Sequence, residues 1–203
     1  MQLLKIHHQN PSPRKVGALV DLLNSGQLIG YPTDSLYAVG CDPNNKKAVL
    51  NLCKLKGIDP KKADLTFLCR DMAQAAFLIR QLDRSTFKLI RKNVPGPFTF
   101  ILPASRETPN FFRNKKKTVG IRIPNHIFLR QLLDQFGSPI LTTSLVKESE
   151  VYDLGLEDLI ERYRHQIKSF VELDEKLGTP SAVVAFQDDE IMILREGPEP
   201  LIY

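Results

Sequence analysis

Apolar residues recur along this chain with two periods. After Ser12-Pro13, a cap and first-turn pair, Val16, Leu19, Val20 and Leu23 repeat at helical spacing, and Gly26 ends the run. Val49, Leu52, Cys53 and Leu55 predict a second helix stopped at Gly57. Asp71 is placed to cap a third, and a fourth covers about 84–93. Asn125 is placed to cap a fifth, through Ile127, Leu129, Leu132, Leu133 and Phe136 to Gly137, and a sixth is expected over 156–167. Between them, short apolar runs predict strands at 27–31, 65–69, 98–102, 118–123, 139–143, 181–186 and 191–194. Strands alternating with helices predict an α/β fold, with hairpin-like pairing at the C-terminal end. No stretch reads as a linker, so residues 1–203 are expected to form one domain.

Composition agrees with a packed chain: 42% of the 203 residues are hydrophobic and 25% charged, which excludes a disordered chain. The net charge of +5 hides an asymmetry. Residues 1–147 carry 23 basic and 9 acidic side chains, a balance of +14, whereas residues 148–203 carry 5 and 14, a balance of −9. A basic body points to an anionic ligand. No apolar run approaches the roughly 18–20 residues that span a membrane. The apolar stretch within residues 1–10 is too short for a signal sequence, so a cytoplasmic location is expected. Cys41, Cys53 and Cys69 form no CxxC pair and read as reduced, buried thiols. His7, His8, His126 and His165 show no ligand spacing, so no protein-ligated metal is expected.

Three strand-end segments are rich in small hydroxyl residues: Tyr31-Pro32-Thr33-Asp34-Ser35, Leu141-Thr142-Thr143-Ser144 and Gly178-Thr179-Pro180-Ser181. Hydroxyls beside backbone N–H groups can hold phosphate or carboxylate oxygens, although turn chemistry alone accounts for each segment. Two arginines add to the signal. Val119, Ile121 and Ile123 share one strand face, which leaves Arg122 on the other beside Gly120. Arg195 follows the apolar run Ile191–Leu194. An arginine in or after a core strand needs a partner, either a structural carboxylate or an anionic ligand. Lys54 and Lys56 close a helix, where cations suit the dipole, and Lys115-Lys116-Lys117 is either a solvated run or a phosphate-backbone contact. There is no Walker A, GxGxxG or GxSxG sequence. The residues alone lead to an anion-binding α/β domain.

Taken together and in order, the segments resemble one family. Residues 31–40 (YPTDSLYAVG) are similar to the YPT(D/E)(S/T)xYxxG stretch of the YrdC/YciO family, and Pro95-Gly96-Pro97-Phe98-Thr99 to its PGPxT segment. Residues 118–124 (TVGIRIP) resemble its T-V-x-x-R-x-P strand, and Arg195-Glu196-Gly197 its terminal R-x-G. The resemblance implies a single-domain twisted open sheet with flanking helices, YrdC/RibB-like, with a concave basic face. It implies a threonylcarbamoyl-AMP synthase, a nucleotidyltransferase joining ATP, L-threonine and bicarbonate for threonylcarbamoyladenosine formation in tRNA processing. ATP would enter as substrate with Mg2+. Thr33, Arg122, Thr142 and Ser181 would lie on the threonine side, and Lys56, Thr118, Ser144 and Arg195 would contact ATP.

Departures temper this. The family's K-x-R becomes Lys56-Gly57-Ile58, its S-x-N becomes Ser144-Leu145-Val146, and its S-T-V-V-D becomes Ser181-Ala182-Val183-Val184-Ala185. A histidine of the family falls at Cys69, and no second family domain is expected. Each lost charge-assisted contact is worth about 1.5–3 kcal/mol. The chain therefore sits nearer the YciO branch. Two functions compete: a synthase, weakened by these losses, or a tRNA, double-stranded RNA or nucleotide binder without synthase activity.

Overall fold

The computed structural model describes residues 1–59, 65–106, 108, 117–146, 155–174, 178–187 and 190–203. Among these, ten strands form one mixed sheet. They are β1 (Gln2–Ile6), β2 (Ile29–Tyr31), β3 (Ala38–Cys41), β4 (Thr66–Leu68), β5 (Phe98–Pro103), β6 (Thr118–Arg122), β7 (Ile140–Ser144), β8 (Ser169–Leu173), β9 (Ala182–Gln187) and β10 (Glu190–Arg195). The helices are α1 (Pro13–Asn24), α2 (Lys46–Lys56), α3 (Met72–Ala76), α4 (Arg84–Asn93), α5 (Ile127–Phe136) and α6 (Leu156–Tyr163). Across the sheet the order is β1-β8-β2-β3-β7-β4-β6-β5-β9-β10. β1–β8, β8–β2, β4–β6 and β5–β9 pair in parallel, the others antiparallel, including the expected C-terminal hairpin β9–β10.

Most helix ends are set by local chemistry. Asn45 accepts from the Ala48 N–H at the start of α2, and Gly57 closes it in the left-handed region (φ 65°). Asp71 caps α3 through the Gln74 N–H, as expected. At α5 the expectation fails: His126, not Asn125, is the cap, its Nδ1 accepting from the Leu129 N–H at 3.4 Å. The Asn125 N–H is instead donated to Asp34 Oδ2 at 3.0 Å. α6 ends four residues early: the Gln166 N–H closes a tighter i→i−3 turn on the Tyr163 carbonyl, and Ile167 drops into the core. β1, β3 and β8 were not among the expected strands.

Strand alternation gives the sheet two different faces. On one, Val39, Phe67, Phe100, Ile121, Leu141, Phe170 and Val184 form a core with residues of α2, α3, α4 and α6. On the other, Ile6, Ile29, Tyr31, Leu68, Ile140 and Val171 pack under Val16, Leu19 and Leu23 of α1 and Phe128, Leu129, Leu132 and Leu133 of α5. That second core takes in residues of β1, β8, β2, β3, β7 and β4 and none from β6, β5, β9 or β10. Among the described residues, no helix is long and apolar enough to cross a membrane.

Candidate functional site

Where α1 and α5 stop, the same sheet face turns polar and borders a cavity of about 270 Å³. Its wall includes Thr33, Ser35, Thr66, Thr99, Arg122, Thr142, Thr143, Ser144, Ser181 and Arg195, interleaved with Leu36, Leu68, Ile101, Val146 and Val183. Six of the residues chosen from sequence therefore meet in one place: Thr33, Arg122, Thr142, Ser144, Ser181 and Arg195. Thr118 does not join them. It shares Arg122's strand face but lies four residues away, paired with Pro103 at the far end of β6. Lys56 is not in the wall either, yet its Nζ donates to the Ser144 carbonyl at 2.7 Å and so fixes the end of β7. Lys115 and Lys116 lie outside the described residues.

Arg122 is placed by strand alternation: Val119 and Ile121 enter the core while Gly120 and Arg122 lie on the other face, where Arg122 lines the cavity. A Cβ at position 120 would come within 2.8 Å of Thr66 Oγ1, so only glycine lets β6 lie this close to β4. Arg122 has a carboxylate partner, Asp34, at 2.5 Å, with side chains only 10% and 11% exposed. The same Nη2 donates to Ser35 Oγ at 2.8 Å. Asp34 Oδ2 takes the Asn125 N–H, so one carboxylate ties the loop after β2 to β6 and to the entrance of α5. Among the described residues, no acceptor reaches Arg122 Nε, which is buried. A buried guanidinium with one donor unmet is suited to a further anion.

Arg195 reaches the cavity through a bulge. Ile193 pairs with Val184 and Arg195 with Val183, so Leu194 is an extra residue in β10. Simple alternation from Ile191 and Ile193 would send Arg195 to the helix-packed face; the bulge returns it to the face of Val183. Its Nε–H donates to the Ser181 carbonyl at 2.8 Å and Nη2 lies 3.3 Å from Ser181 Oγ. Ser181 Oγ is in turn 3.1 Å from Thr99 Oγ1. Gly197 is required just beyond, since a Cβ there would meet Ala182 N at 2.4 Å.

Several wall hydroxyls are already oriented. Thr142 Oγ1 accepts from the Tyr31 hydroxyl at 2.9 Å and donates to the Val39 carbonyl at 3.1 Å. Burial raises the Tyr31 pKa well above its ordinary value, so it stays a donor. Thr33 Oγ1 donates to the Leu36 carbonyl and Ser144 Oγ to the Val146 carbonyl, each at 2.8 Å. Among the described residues, neither histidine nor carboxylate lines the cavity. Cys41, Cys53 and Cys69 are free and buried, and burial raises all three pKa values, so they are thiols and not nucleophiles. Two guanidiniums and a set of oriented hydroxyls give the cavity groups that are complementary to anions. The sequence marked Asp34 and Ser35 only as part of a hydroxyl-rich segment and gave them no role of their own, and it did not single out Thr66 or Thr99; Thr99 was readable from its place between Phe98 and Phe100.

The order of these elements and the segments that meet at the cavity are matched in known proteins. Residues 21–197 match the family described as "Sua5_yciO_yrdC: Telomere recombination". The uncharacterized protein YciO of Escherichia coli K12 is 32% identical over 198 residues, covering 97% of this chain and 95% of the relative. The chain belongs to the Sua5/YciO/YrdC family. The crystal structure of E. coli YciO superposes with a TM-score of 0.90 over 98% of this chain and 97% of that one. Within the Sua5/YciO/YrdC family, a threonylcarbamoyl-AMP synthase of Buchnera aphidicola is 37% identical over 125 residues, covering 61% of this chain and 71% of that protein. The structure of P. abyssi Sua5 complexed with L-threonine shares the fold, with a TM-score of 0.87 at 21% identity, over 99% of this chain and 59% of that one.

Proposed function

We propose that this chain binds L-threonine and ATP in the cavity between Arg122 and Arg195 and joins them with bicarbonate into threonylcarbamoyl-AMP. The observation that carries this reading is the convergence of two arginines and oriented hydroxyls on one cavity that, among the described residues, is lined by no histidine, cysteine or carboxylate. The reaction asks for little else. The threonine α-ammonium gives its proton to solvent, the free amine adds to bicarbonate and water leaves, giving a carbamate. A carbamate oxygen then attacks the α-phosphorus and pyrophosphate leaves. Catalysis of this kind rests on positioning and on neutralising charge.

Arg122, held by Asp34 and flanked by Thr33, Thr142 and Ser181, would receive the threonine carboxylate. Arg195 and Ser144, with Lys56 behind it, would face the phosphates. The two sides adjoin, since Arg195 donates to Ser181. Mg2+ would arrive on the nucleotide, because no carboxylate lines the wall among the described residues and Asp34 is engaged by Arg122. The name of the Buchnera relative and the L-threonine in the P. abyssi Sua5 complex support the assignment. The product would serve tRNA modification.

The test is pyrophosphate release by the purified chain. The expected result is release that needs ATP, threonine and bicarbonate together and is lost in Arg195→Ala. A folded protein that binds neither ATP nor threonine by calorimetry overturns the reading. A second reading, RNA binding without synthesis, draws on Val146, an apolar wall residue, and Ile58, packed against the core, at positions where the synthase pattern is polar. It requires RNA affinity that falls steeply with salt and no pyrophosphate.

A further inference from the structure

We propose a transition-metal site at the opposite edge of the sheet, formed by His7, His8 and Asp174. β1 and β8 pair in parallel with Ile6 opposite Leu173, so the residues that follow, His7 and Asp174, emerge side by side although they are far apart in sequence. The His8 N–H donates to Asp174 Oδ1 at 2.9 Å, and His8 Nδ1 lies 2.8 Å from the same oxygen. His7 Nε2 stands 3.5 Å from Oδ2. One nitrogen of each imidazole and a carboxylate oxygen all lie within 4.8 Å of one another. Donors around a tetrahedral zinc, each about 2.0–2.2 Å from the ion, stand about 3.3–3.5 Å apart, so modest side-chain rotations complete the geometry.

The donor set selects the ion. Two imidazoles and one carboxylate suit Zn2+, Co2+ or Ni2+, and not Mg2+ or Ca2+, which take oxygen ligands. The nearby Lys5 does not compete for Asp174, being paired with Glu172 at 3.3 Å. The three side chains are 57%, 30% and 51% exposed, and His7 and Asp174 border a cleft of about 250 Å³, which leaves coordination positions for water. Two contacts must be given up: the His8 Nδ1–Asp174 Oδ1 bond at 2.8 Å, whose nitrogen must be free of its proton to ligate, and the bond that His7 Nδ1 accepts from the Gln9 N–H at 3.3 Å, because ligation through Nε2 places a proton on Nδ1. The second bond is long, and the metal–nitrogen and metal–oxygen bonds replace the first. β1 and β10 are the two outer strands of the sheet, so this site is independent of the cavity that ends at Arg195. Metal here would fasten the N-terminal strand to β8 and stabilise the folded chain by binding it alone.

The full chain, purified without a polyhistidine tag and stripped of metal, is titrated with Zn2+ by calorimetry and with Co2+ by visible absorption. The expected result is one equivalent bound with a Kd of about 10 µM or tighter, d–d bands with Co2+, and a raised thermal midpoint. His8→Ala and Asp174→Asn should each weaken binding at least about tenfold, with His165→Ala, an exposed histidine elsewhere, unchanged. Weaker binding, more than one equivalent, or binding that survives His8→Ala overturns the proposal. Circular dichroism checks that the variants fold, and His7→Gln replaces any that does not.

Discussion

The face of the sheet that carries the site has two halves made from some of the same strands. β7 passes through both: Ile140, Thr142 and Ser144 point the same way, Ile140 into the core under α1 and α5, Thr142 and Ser144 into the cavity wall. β4 makes the same change within three residues, from Leu68 to Thr66. The covered half gains from removing apolar area from water. The open half instead satisfies its polar groups in pairs, Arg122 with Asp34, Tyr31 with Thr142, Ser181 with Arg195. A binding surface thus arises where two helices end, and the strands need change only the identity of alternate residues to provide it.

This contrast can be broken from either side. Phe128→Ala, in the fully buried second core, should cost about 3–5 kcal/mol in urea unfolding and leave ligand affinity of the folded fraction unchanged. Asp34→Ala should cost about 3 kcal/mol by leaving Arg122 buried and unpaired, and should also abolish threonine binding. A cost below about 1 kcal/mol would mean the pair is not the anchor of the open half. Gly197→Ala should cost about 1–3 kcal/mol, because the new methyl meets Ala182, and should loosen ATP binding by displacing the end of β10. Arg195→Ala should change stability by less than about 1 kcal/mol yet weaken ATP about 10–100-fold in calorimetry. The smallest effect is electrostatic and lies outside both halves. The Asp71 pKa is lowered by the Gln74 N–H and Arg70, and the Asp83 pKa by the Ser85 and Thr86 side chains and the Thr86 N–H. Their stabilisation is present above the unfolded value near 3.9 and is lost as pH falls through the folded values. The thermal midpoint should therefore hold from about pH 7 to 5 and decline below about pH 4, less steeply in Asp83→Asn.

Much of this was legible in the residues. α2 and α5 announced themselves by apolar spacing and by Gly57 and Gly137, and β6 by Val119, Ile121 and Ile123 around Arg122. β3 was not, because all four of its residues are buried and no alternation shows. β8 hides for the same reason, with a single half-buried residue, Glu172. In the site, Thr33, Arg122 and Ser181 could be named from their segments, but Asp34 stands 88 residues from the arginine it holds. Nothing in Ile191–Arg195 signals a bulge, so the side on which Arg195 falls required the paired strand. Asn125 looked like a cap, and only the nearness of Asp34 explains why His126 took that part.

The double use of Asp34 has a consequence for descent. Because its two oxygens hold Arg122 and the Asn125 backbone, the loop after β2 and the stretch from β6 to α5, distant in sequence, share a single atom group. A lineage cannot alter one of them and leave the other untouched without stranding a buried charge. Positions 34 and 122 should accordingly be inherited together, and a relative that has exchanged the acid should have exchanged the arginine as well.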